Sequence, residues 1–90
     1  EEFLILLPHT DAQAAAELIE VIREVFMQTR FQSNTKELFQ VSFSAGVTCV
    51  RNRDKQLDDL LARADAALYR AKRLGRNQVV IDGPAPEGVQ

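Results

Sequence analysis

The sequence predicts an α/β (α+β) sandwich, with helices packed on one face of a mostly antiparallel sheet, in the order strand, helix, strand, helix, strand. Two segments, 11–30 and 57–77, repeat apolar residues at steps of three and four, which predicts amphipathic helices. Three other runs, 3–7, 38–50 and 79–81, are rich in apolar and β-branched residues, which predicts the strands of the sheet.

The first predicted strand, 3–7, is a row of five apolar residues followed by Pro8. A continuous apolar run of this length is typical of a strand that is buried on both faces. Thr10 and Gln13 then have the spacing of a capping box, which predicts that a helix begins at about this point.

The first helix is predicted over 11–30 and is expected to cover the sheet. Its charged face is expected to be solvated, because Glu20 and Glu24 bracket Arg23 on it. The apolar stripe consists of Ala15, Leu18, Ile19, Ile22, Val25 and Phe26.

The middle run, 38–50, follows a polar loop at 31–37 and is predicted to form one long strand. Gly46 inside this run indicates a bulge or a close approach of another backbone. Cys49 is interpreted as a small buried hydrophobe rather than a nucleophile. As the only cysteine it excludes an internal disulfide and fits a reducing compartment.

The second helix, within 57–77, is the segment around which the chain is organised. Ala64, Ala67 and Ala71 are small, so the helix can approach the sheet closely. Gly75 follows the last periodic residue and suits the left-handed conformation that ends many helices.

Charged residues lie at two places that could form a site. Lys72, Arg73 and Arg76 surround the predicted helix end, where charge alone favours solvated cations that complement the helix dipole. Glu1 and Glu2 precede the first strand, and alternation along a strand would send them to opposite sides. They could bind one cation together only if a turn reoriented one of them.

The composition is that of one small globular domain. The chain has 90 residues, of which 46% are hydrophobic and 27% charged. The net charge of −2 gives no electrostatic argument for nucleic-acid binding. No apolar run approaches the roughly 20 residues that span a bilayer, and the opening lacks the basic region of a signal peptide. These features favour a cytoplasmic domain and leave open whether a longer parent protein is anchored in the membrane.

The chain is predicted to form a domain over 1–82 and a flexible tail over 83–90, which contains two prolines and two glycines. Because it opens inside a predicted strand without a cap or turn, we expect it to be a piece of a larger domain. Apolar helix and strand surface would then be exposed, unless a second copy or an upstream segment covers it.

Three segments resemble, in the right order, the GGDEF domain of diguanylate cyclases. The most specific is 62–80, ARADAALYRAKRLGRNQVV; the others are 42–47, SFSAGV, and Glu1-Glu2-Phe3 at the start. The family motif is Gly-Gly-Asp/Glu-Glu-Phe, so the chain begins at its third residue. The resemblance covers about 1–82 and implies a fold similar to the palm of adenylyl cyclases and some polymerases. In that fold, two more helices and another strand precede the motif.

The resemblance implies that two GTP molecules are joined into cyclic di-GMP, with release of pyrophosphate, between two domains of a homodimer. It implies two Mg²⁺ or Mn²⁺ ions per site and an upstream sensory or regulatory domain. Glu1 matches a metal ligand that also helps to remove the proton of the attacking hydroxyl, and Glu2 matches the neighbouring metal-site acid. Lys72 and Arg76 match the cations that approach the triphosphate.

Other parts of the family's site would lie upstream of residue 1: a metal-binding Asp, the guanine-recognising Asn and Asp, and an inhibitory Arg-x-x-Asp motif. The 90-residue chain alone is therefore expected to be inactive. Two alternatives stay open at this point. One is a degenerate module that binds GTP or cyclic di-GMP for regulation, and the other is a protein-interaction domain whose basic helix end meets an acidic partner.

Overall fold

The computed structural model describes residues 2–82, which form two α-helices and four short strands. In chain order the elements are α1 (Ala12–Gln28), β1 (Phe31–Gln32), β2 (Leu38–Phe39), β3 (Ala45–Val47), α2 (Leu57–Arg73) and β4 (Val79–Ile81). The predicted α+β class is confirmed. Glu1 and the predicted tail, 83–90, lie outside the described residues.

The strands pair in two separate sheets. β1 and β2 form an antiparallel hairpin, in which Phe31 is opposite Phe39. β3 and β4 form a parallel pair, in which Gly46 is opposite Val80. The expectation of a mostly antiparallel sheet therefore holds only for the hairpin. The β3–β4 pair is parallel because α2 is the crossover that brings the chain back to its starting edge.

The two helices lie on opposite faces of the β3–β4 pair, not on one face as the sequence suggested. Gly46 meets α2, whereas its neighbour Val47 packs with Ala15 and Ala16 of α1. Successive residues of a strand point to opposite faces. The small parallel pair is thus enclosed between one helix on each side.

The contact between α2 and β3 is close, as the sequence predicted. A Cβ atom added at Gly46 would lie 2.4 Å from the carbonyl oxygen of Ala64 and 2.4 Å from the backbone nitrogen of Leu68. Ala67 and Ala71 of α2 are fully buried, at 0% exposure. Only glycine on the strand and alanine on the helix permit backbones to approach this closely.

The segment 2–7 is not a strand, which corrects the prediction for 3–7. It pairs with no other part of residues 2–82, and Phe3 is 84% exposed. An extended segment becomes a strand only when a neighbour satisfies its backbone N–H and C=O groups. An apolar run indicates that a segment is suited to a sheet, but the segment forms a strand only if a partner strand is present.

The run 38–50 forms two short strands rather than one long strand. β2 turns back onto β1, and the turn between them is closed by a hydrogen bond from the Lys36 N–H to the Ser33 carbonyl, at 2.9 Å. The rings of Phe31 and Phe39 stack at 5.7 Å between centroids. The predicted polar loop at 31–37 therefore contributes its first two residues to a strand.

Helix α1 begins one residue later than the proposed capping box implies. Asp11 is the N-cap, and its carboxylate accepts a hydrogen bond of 2.7 Å from the Ala14 N–H. The Thr10 hydroxyl instead donates to the Pro8 carbonyl at 2.9 Å. A carboxylate at the N-cap binds the first N–H groups of a helix well, and it also complements the helix dipole.

Much of the apolar surface of α1 faces outward. The buried apolar residues among 2–82 are Ala15, Ala16, Val47, Ala67 and Ala71. Half-exposed side chains on α1 include Leu18 (46%), Val21 (56%) and Val25 (54%). The expected exposure of apolar helix surface is therefore confirmed. Within residues 2–82, neither helix has the length and hydropathy needed to cross a membrane.

Candidate functional site

The C-terminus of α2 ends in a Schellman motif, which presents a basic loop before β4. The Gly75 N–H donates to the Lys72 carbonyl at 3.4 Å, and the Arg76 N–H donates to the Ala71 carbonyl at 2.9 Å. Gly75 has φ +121°, which side chains of L-residues disfavour. The predicted glycine stop is confirmed.

The loop keeps an unusual backbone for two residues beyond the glycine. Arg76 (φ 63°) and Asn77 (φ 53°) are both left-handed, a conformation that few residues other than glycine adopt. The Asn77 N–H donates to Ser44 Oγ at 2.9 Å. Arg23 Nη1 of α1 donates to Asn77 Oδ1 at 2.9 Å and to its carbonyl oxygen at 3.3 Å. The loop is thus held from α1 and from the residue that precedes β3.

Arg23 is not the solvated residue that the sequence suggested. Its side chain is only 16% exposed and pairs with Glu20 through two hydrogen bonds, from Nε at 2.9 Å and from Nη2 at 2.5 Å. This contact lowers the pKa of Glu20 and raises that of Arg23. No sequence pattern links Arg23 to Asn77, which lies 54 positions later.

Glu2 and Lys72, two of the predicted site residues, lie together in the structure. Glu2 Oε2 is 3.6 Å from Lys72 Nζ, and their side chains are 64% and 37% exposed. Arg76 is exposed on the adjoining loop. Glu1 lies outside the described residues, so its role in metal binding and proton removal stays a prediction.

Arg73, one of the cations that charge alone predicted to be solvated, lies against Tyr69. Its guanidinium carbon is 5.7 Å from the centre of the Tyr69 ring, and Nη1 donates to the Tyr69 hydroxyl at 3.0 Å. Both residues are exposed on α2. This contact makes Arg73 a useful comparison for Lys72 and Arg76, because it carries the same charge at the same helix end.

The described residues do not by themselves fit a divalent metal ion. Mg²⁺ and Mn²⁺ prefer several oxygen ligands, and Glu2 offers one carboxylate, already beside a lysine ammonium. Within 2–82 there is no group of three or more His, Cys, Asp and Glu side chains that could hold a metal. The predicted metal role of Glu1 and Glu2 therefore stays a prediction.

A second charged cluster, which the sequence analysis missed, lies beyond the C-terminal ends of β3 and β4. Arg63 of α2 donates to both carboxylate oxygens of Asp54, at 2.6 and 2.8 Å, and to the Cys49 carbonyl at 2.7 Å. Its Nε is 3.4 Å from Asp82 Oδ2, which also accepts from Arg51 at 2.8 Å. Arg63 is 9 positions from Asp54 and 19 positions from Asp82 in the sequence. Neither separation follows a helical or strand period, so no sequence pattern indicated these contacts.

Asp54 belongs to this cluster and does not cap α2. Gln56 is the N-cap of α2, and the carboxylate of Asp59 accepts from the N–H groups of Lys55 at 3.0 Å and Gln56 at 3.2 Å. Asp54 instead accepts the Arg51 N–H at 2.7 Å and is 8% exposed. Arg63 and Arg51 hold the pKa of Asp54 far below its usual range.

Comparison with known proteins identifies the family. Residues 1–78 match the family described as "Diguanylate cyclase, GGDEF domain". A diguanylate cyclase from Vibrio cholerae is 37% identical over 81 residues, and the response regulator PleD from Caulobacter vibrioides is 35% identical over 81 residues. These alignments cover 90% and 89% of this chain, but only 24% and 18% of the relatives.

The structure gives the same result. It matches the solved structure of the active GGEEF domain of a diguanylate cyclase from Vibrio cholerae, with a TM-score of 0.72 and 34% identity. The match covers 88% of this chain and 49% of that one, and it confirms the predicted fold. From residues 1–78 and from the folded structure alike, the chain belongs to the GGDEF-domain family of diguanylate cyclases.

Proposed function

We propose that this chain is part of a diguanylate cyclase domain, which condenses two GTP molecules into cyclic di-GMP and two pyrophosphates. The observation that carries the proposal is the contact of Glu2 with Lys72, beside the loop that presents Arg76. An acid from the family's signature motif and cations from its C-terminal motif lie at one corner of the domain. Family membership supports GTP as the substrate of this corner.

In the proposed reaction the 3′-hydroxyl of each GTP attacks the α-phosphate of the other, and pyrophosphate leaves. Such a transfer depends on positioning and on neutralising phosphate charge. Arg76 can bind phosphate oxygens through two parallel N–H groups, whereas Lys72 acts as a compact point charge. We assign both residues to the triphosphate and assign the proton of the attacking hydroxyl to Glu1.

Glu1 and Glu2 are further proposed to provide carboxylate oxygens for Mg²⁺ or Mn²⁺, two ions per complete site. When bound, these ions would neutralise charge on the phosphates. Because the described residues supply too few oxygen ligands, the remaining ligands must come from elsewhere in the domain. The 90-residue chain alone is accordingly proposed to be inactive.

The reaction joins two bound nucleotides, so it requires two domains whose sites face each other. We therefore propose a homodimer as the active form, located in the cytoplasm, where GTP is available. The chain spans less than a quarter of the Vibrio cholerae cyclase and of PleD. An upstream regulatory domain that controls the encounter of two such domains is part of the proposal.

The proposal is tested by Lys72→Ala and Arg76→Ala in the protein at the full length that its gene encodes. Both substitutions are expected to raise the KM for GTP by about tenfold or more, because a charge-assisted contact to phosphate is lost. Arg73→Ala, which removes the same charge from the same helix end, is expected to stay within about twofold of the wild-type KM. Formation of cyclic di-GMP from GTP gives the rates.

Three results would contradict the proposal in different ways. If Lys72→Ala and Arg76→Ala bind GTP as the wild type does, the corner is no triphosphate site. If the wild-type protein binds GTP at this corner but never forms cyclic di-GMP, the chain is a nucleotide-binding module. Weakened binding of an acidic protein, with GTP binding unchanged, would instead indicate an interaction domain.

A further inference from the structure

We infer that Arg23 of α1 is a positioning residue for Arg76, acting through Asn77. This inference rests on the proposed function, in which Arg76 binds the triphosphate, and adds a residue that the signature motifs do not contain. Arg23 lies on α1, whereas Arg76 lies on the loop that follows α2, and two hydrogen bonds to Asn77 join Arg23 to this loop. Its role would be to fix the backbone from which the Arg76 side chain extends.

The Arg23 guanidinium is arranged to do this. Nε and Nη2 donate to the two carboxylate oxygens of Glu20, which fixes the plane of the guanidinium. Nη1 donates to both the side-chain and backbone oxygens of Asn77. Since the side chain of Arg23 is 16% exposed, solvent competes little with these contacts.

The loop needs such support. Arg76 and Asn77 both have positive φ, and for residues other than glycine this conformation persists only where the surroundings hold it. The Schellman bond from the Arg76 N–H to Ala71 holds the start of the loop, and the bond from the Asn77 N–H to Ser44 holds its end. Arg23 binds the side-chain and backbone oxygens of Asn77, which these two bonds leave available.

Arg76 itself depends on its backbone for its position. Its side chain is exposed and, in the part of the chain that the structure describes, forms neither a hydrogen bond nor an ion pair. A phosphate-binding arginine gains most when it is already in place before the ligand arrives. Releasing Asn77 should therefore weaken GTP binding even though no residue that touches GTP is changed.

The test uses Arg23→Gln, Asn77→Gly and Arg76→Ala in the protein at its full encoded length. Arg23→Gln removes the guanidinium, whereas Asn77→Gly keeps a residue that tolerates positive φ and removes only the side-chain acceptor. Arg23→Gln is expected to raise the KM for GTP by about tenfold, and Asn77→Gly by about threefold, with smaller changes in kcat. Arg73→Gln is the control and should leave KM unchanged.

The decisive measurement is the double variant Arg23→Gln/Arg76→Ala. If Arg23 acts through Arg76, adding Arg23→Gln to Arg76→Ala causes no further rise in KM. A purely structural role predicts instead that the two effects multiply, and that outcome would overturn the inference. The thermal midpoint of each variant is measured alongside. If Arg23→Gln does not fold, Asn77→Gly with Arg76→Ala forms the same cycle.

The inference and the proposed function fail differently. A raised KM in Arg76→Ala together with normal KM values in folded Arg23→Gln and Asn77→Gly overturns the positioning role and leaves the triphosphate site standing. A normal KM in Arg76→Ala overturns both.

Discussion

Arg63 shows how a charged residue on the polar side of a helix can be structural. Its guanidinium contacts Asp54 from the loop before α2, Asp82 after β4, and the hydroxyl of Thr48 at 3.3 Å. The side chains of Asp54 and Asp82 are 8% and 11% exposed, so these ion pairs are largely shielded from solvent. Removing one partner of such a cluster leaves an unpaired charge with little solvation, which costs more than losing a surface ion pair.

We predict that Asp54→Asn makes the free energy of unfolding less dependent on pH. The pKa of Asp54 is depressed in the folded chain by the hydrogen bonds from Arg63 and the Arg51 N–H, against an ordinary value of 3.8. Its contribution to stability is therefore complete above about pH 4 and is lost as the pH falls through and below that value. Urea unfolding at pH 7 should show Asp54→Asn less stable than the wild type, and the gap should narrow towards pH 3.

Asp58→Asn serves as the control, because Asp58 is an exposed residue in the first turn of α2. It should change stability little at either pH. A difference between wild type and Asp54→Asn that stays constant from pH 7 to pH 3 would show that the contact with Arg63 does not depress this pKa.

Among the elements, both helices and the last strand, 79–81, were predictable, whereas the runs 3–7 and 38–50 did not form the strands that the sequence predicted. α2 begins at Leu57, where its periodic pattern starts, and ends at Arg73, two residues before the glycine that the sequence marks. Helix hydrogen bonds are local, so residues within four positions determine them. A strand needs a partner from elsewhere in the chain, which is why the apolar run 3–7 is extended without pairing and 38–50 divides into β2 and β3.

The difference between local and long-range contacts also explains which parts of the candidate site could be predicted. Gly75 is three positions after Lys72 at the end of α2, and this local spacing was enough to place the glycine stop. The contacts of Glu2 with Lys72 and of Arg23 with Asn77 join residues that are 70 and 54 positions apart in the sequence. The family resemblance anticipated the first pair, and no signal in the sequence anticipated the second.

At the start of α1, two adjacent residues distinguish the structure from the sequence prediction. Asp11→Ala removes the carboxylate that accepts the Ala14 N–H, and it is expected to cost about 1 kcal/mol of unfolding free energy. Thr10→Ala removes only a bond to the Pro8 carbonyl and should cost less than about 0.5 kcal/mol. Urea unfolding of the two variants measures both values. If Thr10→Ala were the more destabilising, Thr10 rather than Asp11 would be the cap.

For the whole molecule, the small size of the core limits the stability of the fold. Five small or medium residues are buried among 2–82, and none of the larger side chains there is fully buried. Leu18, Val21 and Val25 form one outward face of α1, and the segment from Phe3 to Leu6 is 56–84% exposed. Since burial of apolar side chains is the main stabilising contribution to folding, this chain should depend on further protein surface.

We therefore predict that the 90-residue chain, purified alone, associates with itself. Sedimentation velocity should give an average mass that rises above 10.1 kDa as the concentration increases, because exposed apolar faces meet. The double variant Leu18→Lys/Val25→Lys should shift the mass back towards 10.1 kDa with unchanged helix content, because both side chains lie on the outward face of α1. The control, Glu17→Lys/Glu24→Lys, places lysine at two exposed polar positions of the same helix, where it reverses the charge, and should leave association intact. A single 10.1 kDa species at every concentration, unfolding cooperatively, would mean that the small core is sufficient and that the exposed face of α1 needs no cover.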